Sequence, residues 1–563
     1  MTDSNRFVRL GLVAVLVLTG CSRTSPPESA PSDEPPSSRL FVERSAELGI
    51  EFVHVHGGSG KRYLPETMGA GGCALDHDAD GRMDLYLVQS GALPGTDGSG
   101  GGARNRLFAN RGDDGFVDVT VGARVGDDGY GMGATCDDHD GDGDVDIYLS
   151  NFGPNVLLEN DGSGTFSDVT DRAGVGDPRW SSSAAFLDAD GDGQLDLHVV
   201  NYLEFTVATH RDCVLRGVTA YCHPDAYSMA PDTFYRGLGG GRYEEATVAA
   251  GLVDTTGKGL GIVVGDIDDD GDPDVYVAND STPNFLHRND GTGRFEEIGW
   301  LVGVGYNADG ETEAGMGTDM GDVNADGHPD LFVTNLDREA NALYLGGPEL
   351  FSFATRSSGL QGPSFPMLGF GTDLLDLDND GDLDLFVTNG HVMDNIAETD
   401  DGFSHAQRAQ VFLNDAGRFT ELAADRLGAP ASPIVGRGTI TTDLDDDGRL
   451  DVVVTCNDGP VRVFQNTAED AGAWIGFSLV GTTGHASALG ARVTVETAGR
   501  RLTEERRSGS SYQTSQDPRL HFGLGDAQVA ERVTVRWPGG AEQVFADLAC
   551  CRYYRLVEGE EPR

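Results

Sequence analysis

Short apolar runs recur along the chain, each opening directly after an acidic turn. They are Leu85-Tyr86-Leu87-Val88, Ile147-Tyr148-Leu149, Leu197-His198-Val199-Val200, Val275-Tyr276-Val277, Leu331-Phe332-Val333, Leu385-Phe386-Val387 and Val452-Val453-Val454. β-Branched and aromatic residues dominate them and long helical periodicity is missing, so they predict strands. Before each turn, at constant spacing, stand two glycines around one residue: Gly69-Ala70-Gly71, Gly131-Met132-Gly133, Gly259-Leu260-Gly261, Gly315-Met316-Gly317, Gly369-Phe370-Gly371 and Gly436-Arg437-Gly438. The third copy has Ser181-Ser182-Ser183 in that register, which makes its unit the least regular expectation. The paired glycines predict a close backbone approach or a bulge near the narrow centre of a ring.

Downstream lie Asn-led strands such as Asn105-Arg106-Leu107-Phe108-Ala109-Asn110 and Asn155-Val156-Leu157-Leu158-Glu159-Asn160. A Gly-rich turn then leads to an aromatic strand, as in Phe116-Val117-Asp118 and Phe166-Ser167-Asp168. Each unit thus offers about four short strands, on the repeat scale of propellers and solenoids. Seven copies fit a seven-bladed β-propeller. The two ends are complementary. The seventh unit has Val463-Phe464-Gln465-Asn466 but no aromatic strand after it, whereas Phe41-Val42-Glu43-Arg44-Ser45 precedes the first turn unclaimed. That strand is expected to complete the last blade and remove an exposed sheet edge.

The turns share the phrase D-x-D-x-D-G-x-x-D. Its acidic positions are Asp76, Asp78, Asp80 and Asp84; Asp138, Asp140, Asp142 and Asp146; Asp188, Asp190, Asp192 and Asp196; Asp266, Asp268, Asp270 and Asp274. They continue with Asp322, Asn324, Asp326 and Asp330; Asp376, Asp378, Asp380 and Asp384; Asp443, Asp445, Asp447 and Asp451. Carboxylates at alternate residues of a tight turn converge and repel, and a hard cation with oxygen ligands removes that cost. Asn324, the single exchange, keeps a side-chain oxygen. Up to seven structural Ca2+ ions are therefore expected. An EF-hand is excluded, because it needs a helix after the loop and a Glu at position 12, where this chain has only Leu or Val.

The repeated acidic phrase, Gly369-Phe370-Gly371 and the Asn-rich strand ends resemble the FG-GAP/VCBS repeats of integrin-α-type propellers. Tyr63-Leu64-Pro65-Glu66-Thr67-Met68-Gly69, Asn279-Asp280-Ser281-Thr282-Pro283-Asn284 and Asn389-Gly390-His391-Val392 resemble the cartilage-acidic-protein-like (CRTAC/ASPIC) family. The resemblance implies a calcium-binding propeller (39–470) followed by a small all-β ASPIC/UnbV domain (471–563), without established catalytic residues. The period-two strands Trp474 to Val480, Gly490 to Val495 and Arg532 to Trp537 fit that second domain. Arg506, Arg507 and Arg536 make it locally more basic than the ring, as a docking surface or as scattered surface charge.

A formal charge of -52 excludes nonspecific attraction to nucleic acid or anionic membranes as a main activity. Arg6 and Arg9 precede the apolar stretch Leu10 to Leu18, which ends Leu18-Thr19-Gly20-Cys21. This resembles a bacterial lipobox, with a signal peptide at 1–20 and Cys21 as the lipidated residue. Residues 21–38 are Pro/Ser-rich and read as a tether. Ser22 lacks the Asp that favours inner-membrane retention, so the address expected is the outer membrane or cell surface, with the lipid as the membrane contact. Of the seven remaining cysteines, Cys213 and Cys222 are the expected disulfide; adjacent Cys550 and Cys551 would be strained if joined.

No G-x-S-x-G, H-E-x-x-H or P-loop pattern is present. His54, His56 and His391 read as structural histidines, and Arg111-Gly112-Asp113 as a chance tripeptide in a Gly/Asp-rich chain. The insertion 202–235, with its cysteine pair, Tyr221, His223, Tyr227 and Tyr235, is the expected partner contact or else a cap over the channel. The function expected is a non-catalytic surface module that binds an extracellular protein or glycan. The alternatives are a propeller-based polysaccharide lyase or hydrolase, and an envelope assembly scaffold.

Overall fold

Each apolar run forms the second strand of a four-stranded antiparallel meander, and seven such sheets are present among the described residues. The computed structural model describes residues 39–253 and 256–563. The expected signal peptide, tether and Cys21 lie outside them. Blade one runs Gly72–Leu75, Asp84–Leu87, Arg106–Asn110 and Phe116–Asp118. Blade two repeats this order with Gly131–Asp137, Asp146–Asn151, Val156–Asn160 and Phe166–Asp168. The inner strands touch in cyclic order and the seventh meets the first, which closes a β-propeller.

The second strands are buried from end to end because every blade is covered on both faces. Leu75, Tyr86 and Val88 of blade one, for example, pack against Ile147 and Leu149 of blade two. Buried tyrosine hydroxyls in the middle of these strands find carbonyl partners: Tyr86 donates to Val125 O at 2.8 Å and Tyr148 to Val175 O at 2.8 Å. Ser181–Leu187 is an inner strand with the same bulge, between Ser181 and Ser183, that other blades carry at their glycine pairs, and its serine hydroxyls donate to Asn201, Gly259 and Leu260. Phe41–Glu43 pairs antiparallel with Arg462–Asn466, Phe41 opposite Asn466, and completes blade seven.

The C-terminal region is two further sheets. Leu520–Gly525, Ala473–Val480 and Tyr553–Val557 form one; Arg500–Glu505, Arg492–Thr497, Val529–Arg536 and Glu542–Ala549 form the other. Phe477, Val493, Phe522, Val533 and Trp537 lie in the core they share. The chain between Glu505 and Leu520 leaves this domain and fills the centre of the ring. Gln513 O accepts from Gly72 N and Ala134 N, both at 3.3 Å. Ser511 exchanges backbone bonds with Thr318 and its hydroxyl accepts from Thr372 N. Ser508 Oγ accepts from Phe186 N, and Thr514–Ser515 adds a parallel strand to blade one.

This plug explains much of the glycine punctuation. A Cβ on Gly71 would lie 1.8 Å from Gln513 O, and one on Gly317 would lie 2.2 Å from Phe370 O of the next blade. The close approach expected at the ring centre is thus made partly by neighbouring blades and partly by a segment some 440 residues downstream (Gly71 to Gln513).

Candidate functional site

The seven acidic loops share one internal geometry. The first Asp accepts the backbone N–H of position 6, and in six loops also that of position 5. Asp76 accepts from Gly81 and Asp80 at 2.9 and 3.0 Å; Asp322 accepts from Gly327 and Asp326 at 2.9 and 3.1 Å. In blade four Asp266 accepts from Gly271 at 3.1 Å. The glycine at position 6 has positive φ, +90° at Gly81, as the turn requires. Position 4 is also left-handed, at Ala79, Asp269, Ala325, Asn379 and Asp446 as well as at two glycines. Its varied residue types left no signal in the sequence.

The last Asp is a clasp. One oxygen accepts the N–H of position 2, and the other accepts the N–H at the end of the third strand. Asp330 takes Val323 N at 2.9 Å and Gly346 N at 2.7 Å; Asp146 takes His139 N at 3.0 Å and Asn160 N at 2.7 Å. The asparagines at these strand ends reach the preceding blade. Asn160 Nδ2 donates to His77 O at 3.0 Å, Asn289 to Ala189 O at 2.8 Å and Asn466 to Leu377 O at 2.8 Å. Blades three and five carry Gly237 and Gly346 there, where a Cβ would lie 2.5 and 2.1 Å from a backbone oxygen.

A cation fits the chemistry of these loops. One carboxylate oxygen from each of Asp76, Asp78 and Asp80 lies within 4.8 Å of the others, as do those of Asp138, Asp140 and Asp146, and of Asp188, Asp190 and Asp192. Asp78 Oδ1, Asp140 Oδ1, Asp266 Oδ1 and Asp378 Oδ1 are buried without a donor. Burial, with neighbouring carboxylates adding to it, pushes Asp76 up to about 6 and Asp138 up to about 7. Burial likewise raises Asp330 and Asp384 to about 8. Metal-free, Asp138, Asp330 and Asp384 would therefore hold protons near neutrality. Positions 1, 3, 5 and 9 are the oxygens available to a hard cation, and Asn324 takes the second place in blade five.

The C-terminal domain sits on the loops of blades four, six and seven. Arg536 lies 3.3 Å from Asp266 Oδ2, Arg500 lies 2.6 Å from Asp382 and Arg519 lies 2.6 Å from Asp446. Tyr553 donates to Asp443 Oδ2 at 3.1 Å. Deeper in, Arg506 pairs with buried Asp137 at 2.9 Å, and Arg507 donates to Met320 O. The arginines form a docking surface, not scattered charge. Between the domains lies a cavity of about 480 Å³, lined among others by Asp319, Asp373, Glu504, Arg501, Arg507 and His521. Burial and the neighbouring Asp319 carboxyl push Asp373 well above the usual carboxylate range.

Cys213 and Cys222 form a disulfide, and a second, not read from the sequence, joins Cys73 and Cys136 on the inner strands of blades one and two. The insertion 202–235 turns Phe205, Cys222 and Tyr227 inward, as its reading as a cap expects, while Tyr221 is half-buried and His223 exposed. Phe205, Cys222 and Tyr227 pack in one cluster with Trp180 of blade three, Phe370 of blade six and Tyr512 of the plug, so it caps the channel. Its outward groups include His223 and Val214. His54 bonds Ser90 Oγ at 2.9 Å and His391 bonds Asp337 at 3.1 Å, both as structural groups. Arg111 is engaged by Asp78 at 3.0 Å.

Fold and loops define the class: a β-propeller of acid-loop repeats carrying a small C-terminal β domain. The FG-GAP-like repeat family matches residues 138–199, 266–333 and 322–387, and the ASPIC and UnbV family matches residues 481–563. Each repeat match starts on the first Asp of one loop and ends on the strand after the next, so the sequence repeat is offset from the blade. Within that class the chain is similar to cartilage acidic protein 1. It is 29% identical over 353 residues to cartilage acidic protein 1 of Homo sapiens, covering 60% of this chain and 50% of that protein. To the Xenopus tropicalis protein it is 29% identical over 304 residues, covering 52% and 43%. The chain spans about half the length of these relatives. Among solved structures, an Agrocybe aegerita lectin that recognises terminal N-acetylglucosamine aligns with TM-score 0.35 and 15% identity, over 67% of this chain and 87% of that one. A Bacillus licheniformis rhamnogalacturonan lyase aligns with TM-score 0.36 and 13% identity, over 70% and 71%.

Proposed function

We propose that the chain is a calcium-stabilised binding propeller, held by an N-terminal lipid on Cys21 at the outer membrane or cell surface, that engages an extracellular protein or glycan without catalysis. The observation that supports calcium is one loop geometry written seven times, with buried carboxylate oxygens that have no protein donor. Extracellular sites of roughly 10⁻⁴ to 10⁻³ M affinity still fill. At a hundredfold excess over Kd each filled site adds about 2.7 kcal/mol to the folded state. The anchor rests on the sequence at Leu18-Thr19-Gly20-Cys21.

Elemental analysis of the purified, calcium-replete protein and thermal melts with and without EDTA test the metal. Stoichiometric calcium and a sharp drop in Tm on chelation are expected; no bound calcium and an unchanged melt would overturn it. Partner capture with the soluble form from residue 39 onward, with and without calcium, tests the binding role. A crosslinked envelope complex in place of a glycan or single protein would favour the scaffold alternative. The lyase or hydrolase alternative loses the ring axis, which Ser508 to Gln513 fill. The interdomain cavity with Asp319 and Asp373 offers it a place. Turnover on a glycan panel, abolished by D373N in a folded protein, would replace the binding reading with that one.

A further inference from the structure

Three cysteines among the described residues are free: Cys456, Cys550 and Cys551. Cys456 is buried in the second strand of blade seven, and its burial pushes the thiol up to about 12, so it is chemically quiet. The other two are adjacent and lie at the surface. They occupy the turn between Glu542–Ala549 and Tyr553–Val557 in the C-terminal domain. Cys551 is exposed and has φ +62°, a conformation that brings its Sγ to 2.8 Å from Cys550 Sγ. The turn is pinned on both sides. Cys550 N donates to Gln528 O at 3.0 Å, Cys551 N to Trp474 O at 2.6 Å, and Gly476 N to Arg552 O at 3.1 Å. The two sulfurs are thus held side by side by the fold.

We infer that Cys550 and Cys551 form a thiol–disulfide exchange site, which closes to a vicinal disulfide on reaction with a small-molecule disulfide and reopens on reaction with a small thiol. The sulfurs need to close by roughly 0.8 Å to reach bonding distance. Adjacent Cα atoms stand about 3.8 Å apart, below the usual span of about 4.4–6.8 Å across a disulfide, so the eight-membered ring is strained. Strained and exposed disulfides are the easily reduced ones. The pair should therefore cycle under conditions that leave Cys73–Cys136 and Cys213–Cys222 closed.

The chemistry balances as two exchanges. Burial and the neighbouring thiol push Cys550 up to about 11, so the exposed Cys551 takes the first step. Its thiolate attacks one sulfur of the disulfide RSSR, forming a mixed disulfide and releasing RS⁻. Cys550, as thiolate, then attacks the Cys551 sulfur and releases the second RS⁻. Two protein thiols are oxidised and one RSSR is reduced to two RSH, which carry the two protons.

The test is thiol mapping of the purified, calcium-replete full chain. The protein is equilibrated at a series of oxidised-to-reduced glutathione ratios, quenched in acid, alkylated and digested with trypsin. The peptide Trp537 to Arg552 contains both cysteines. Under oxidising ratios it is expected to carry no alkyl group and to run about 2 mass units below the mass of the unalkylated dithiol peptide. Under reducing ratios it should return to the doubly alkylated form while the other two disulfides resist. C550S should trap glutathione on Cys551. A peptide that stays doubly alkylated throughout, or that carries glutathione in the wild type without closing, would overturn the site. So would a disulfide that opens only together with the other two.

Discussion

At the scale of single residues, the last Asp of each loop does two jobs: it ties the hairpin, and it stands among the oxygens available to a cation. Asp330 is fully buried and accepts two backbone N–H bonds. D330A leaves both donors unpaired and should cost roughly 3 kcal/mol, read as a shift in the chemical-denaturation midpoint. A loss below 0.5 kcal/mol would remove the clasp from the account. Protonation supplies a second prediction. In the metal-free chain the buried first and last carboxyls of blade three titrate above their unfolded value of 3.8, Asp188 near 6 and Asp196 near 7. The folded state then holds protons that the unfolded chain has released, so stability is greatest at low pH and falls as pH rises from about 4 through those values. In excess chelator Tm should be higher at pH 5 than at pH 8, and saturating calcium should remove that slope. A flat chelated profile would contradict the burial of these carboxyls. The four acidic positions were legible in the sequence because they repeat. The left-handed position 4 was not, because Ala, Asn and Asp serve there as well as Gly.

At the scale of strands and blades, the closure strand carries the sharpest prediction. Phe41 is fully buried, packs edge-on to Phe386 at 6.1 Å and lies opposite Asn466 in the sheet. F41A should destabilise by about 3–5 kcal/mol, because a large aromatic leaves a cavity that the ring cannot collapse around. A chain begun at residue 46 should expose the edge of Arg462–Asn466 and self-associate, which light scattering would report. Unchanged stability of F41A would mean that the ring is closed by other means. Strand order and closure could be read from the apolar runs and the mismatched ends, because sheet periodicity is local and the repeat shows which end lacks a strand and which has one to spare. The strands that pair, Phe41–Glu43 and Arg462–Asn466, nonetheless lie far apart in the chain. The insertion was legible only as two alternatives, a partner contact or a cap. The packing of Tyr227 with Trp180, Phe370 and Tyr512 supplies the inward contacts of a cap, and those partners lie too far along the chain to be read locally.

At the scale of the whole molecule, ring and C-terminal domain are one structure. The plug supplies backbone partners to inner strands of several blades, and Arg506 neutralises Asp137, which is 1% exposed. R506A should cost about 3–5 kcal/mol, since it leaves a buried charge without its partner. Chain 39–470 alone should melt well below the chain that keeps the plug; equal melting of the two would show the ring to be self-sufficient. By itself the sequence determined the repeat, the strands, the acidic loops and the complementary ends. Each is written in residues that act on their immediate neighbours, through side-chain shape, turn conformation or like-charge crowding. Only the tertiary structure decided that the ring's centre is filled by the second domain, that the Cys73–Cys136 bridge joins two blades, and that the loops of blades four, six and seven lie beneath arginines. Those contacts join positions up to hundreds of residues apart, and nothing local in either partner marks the other.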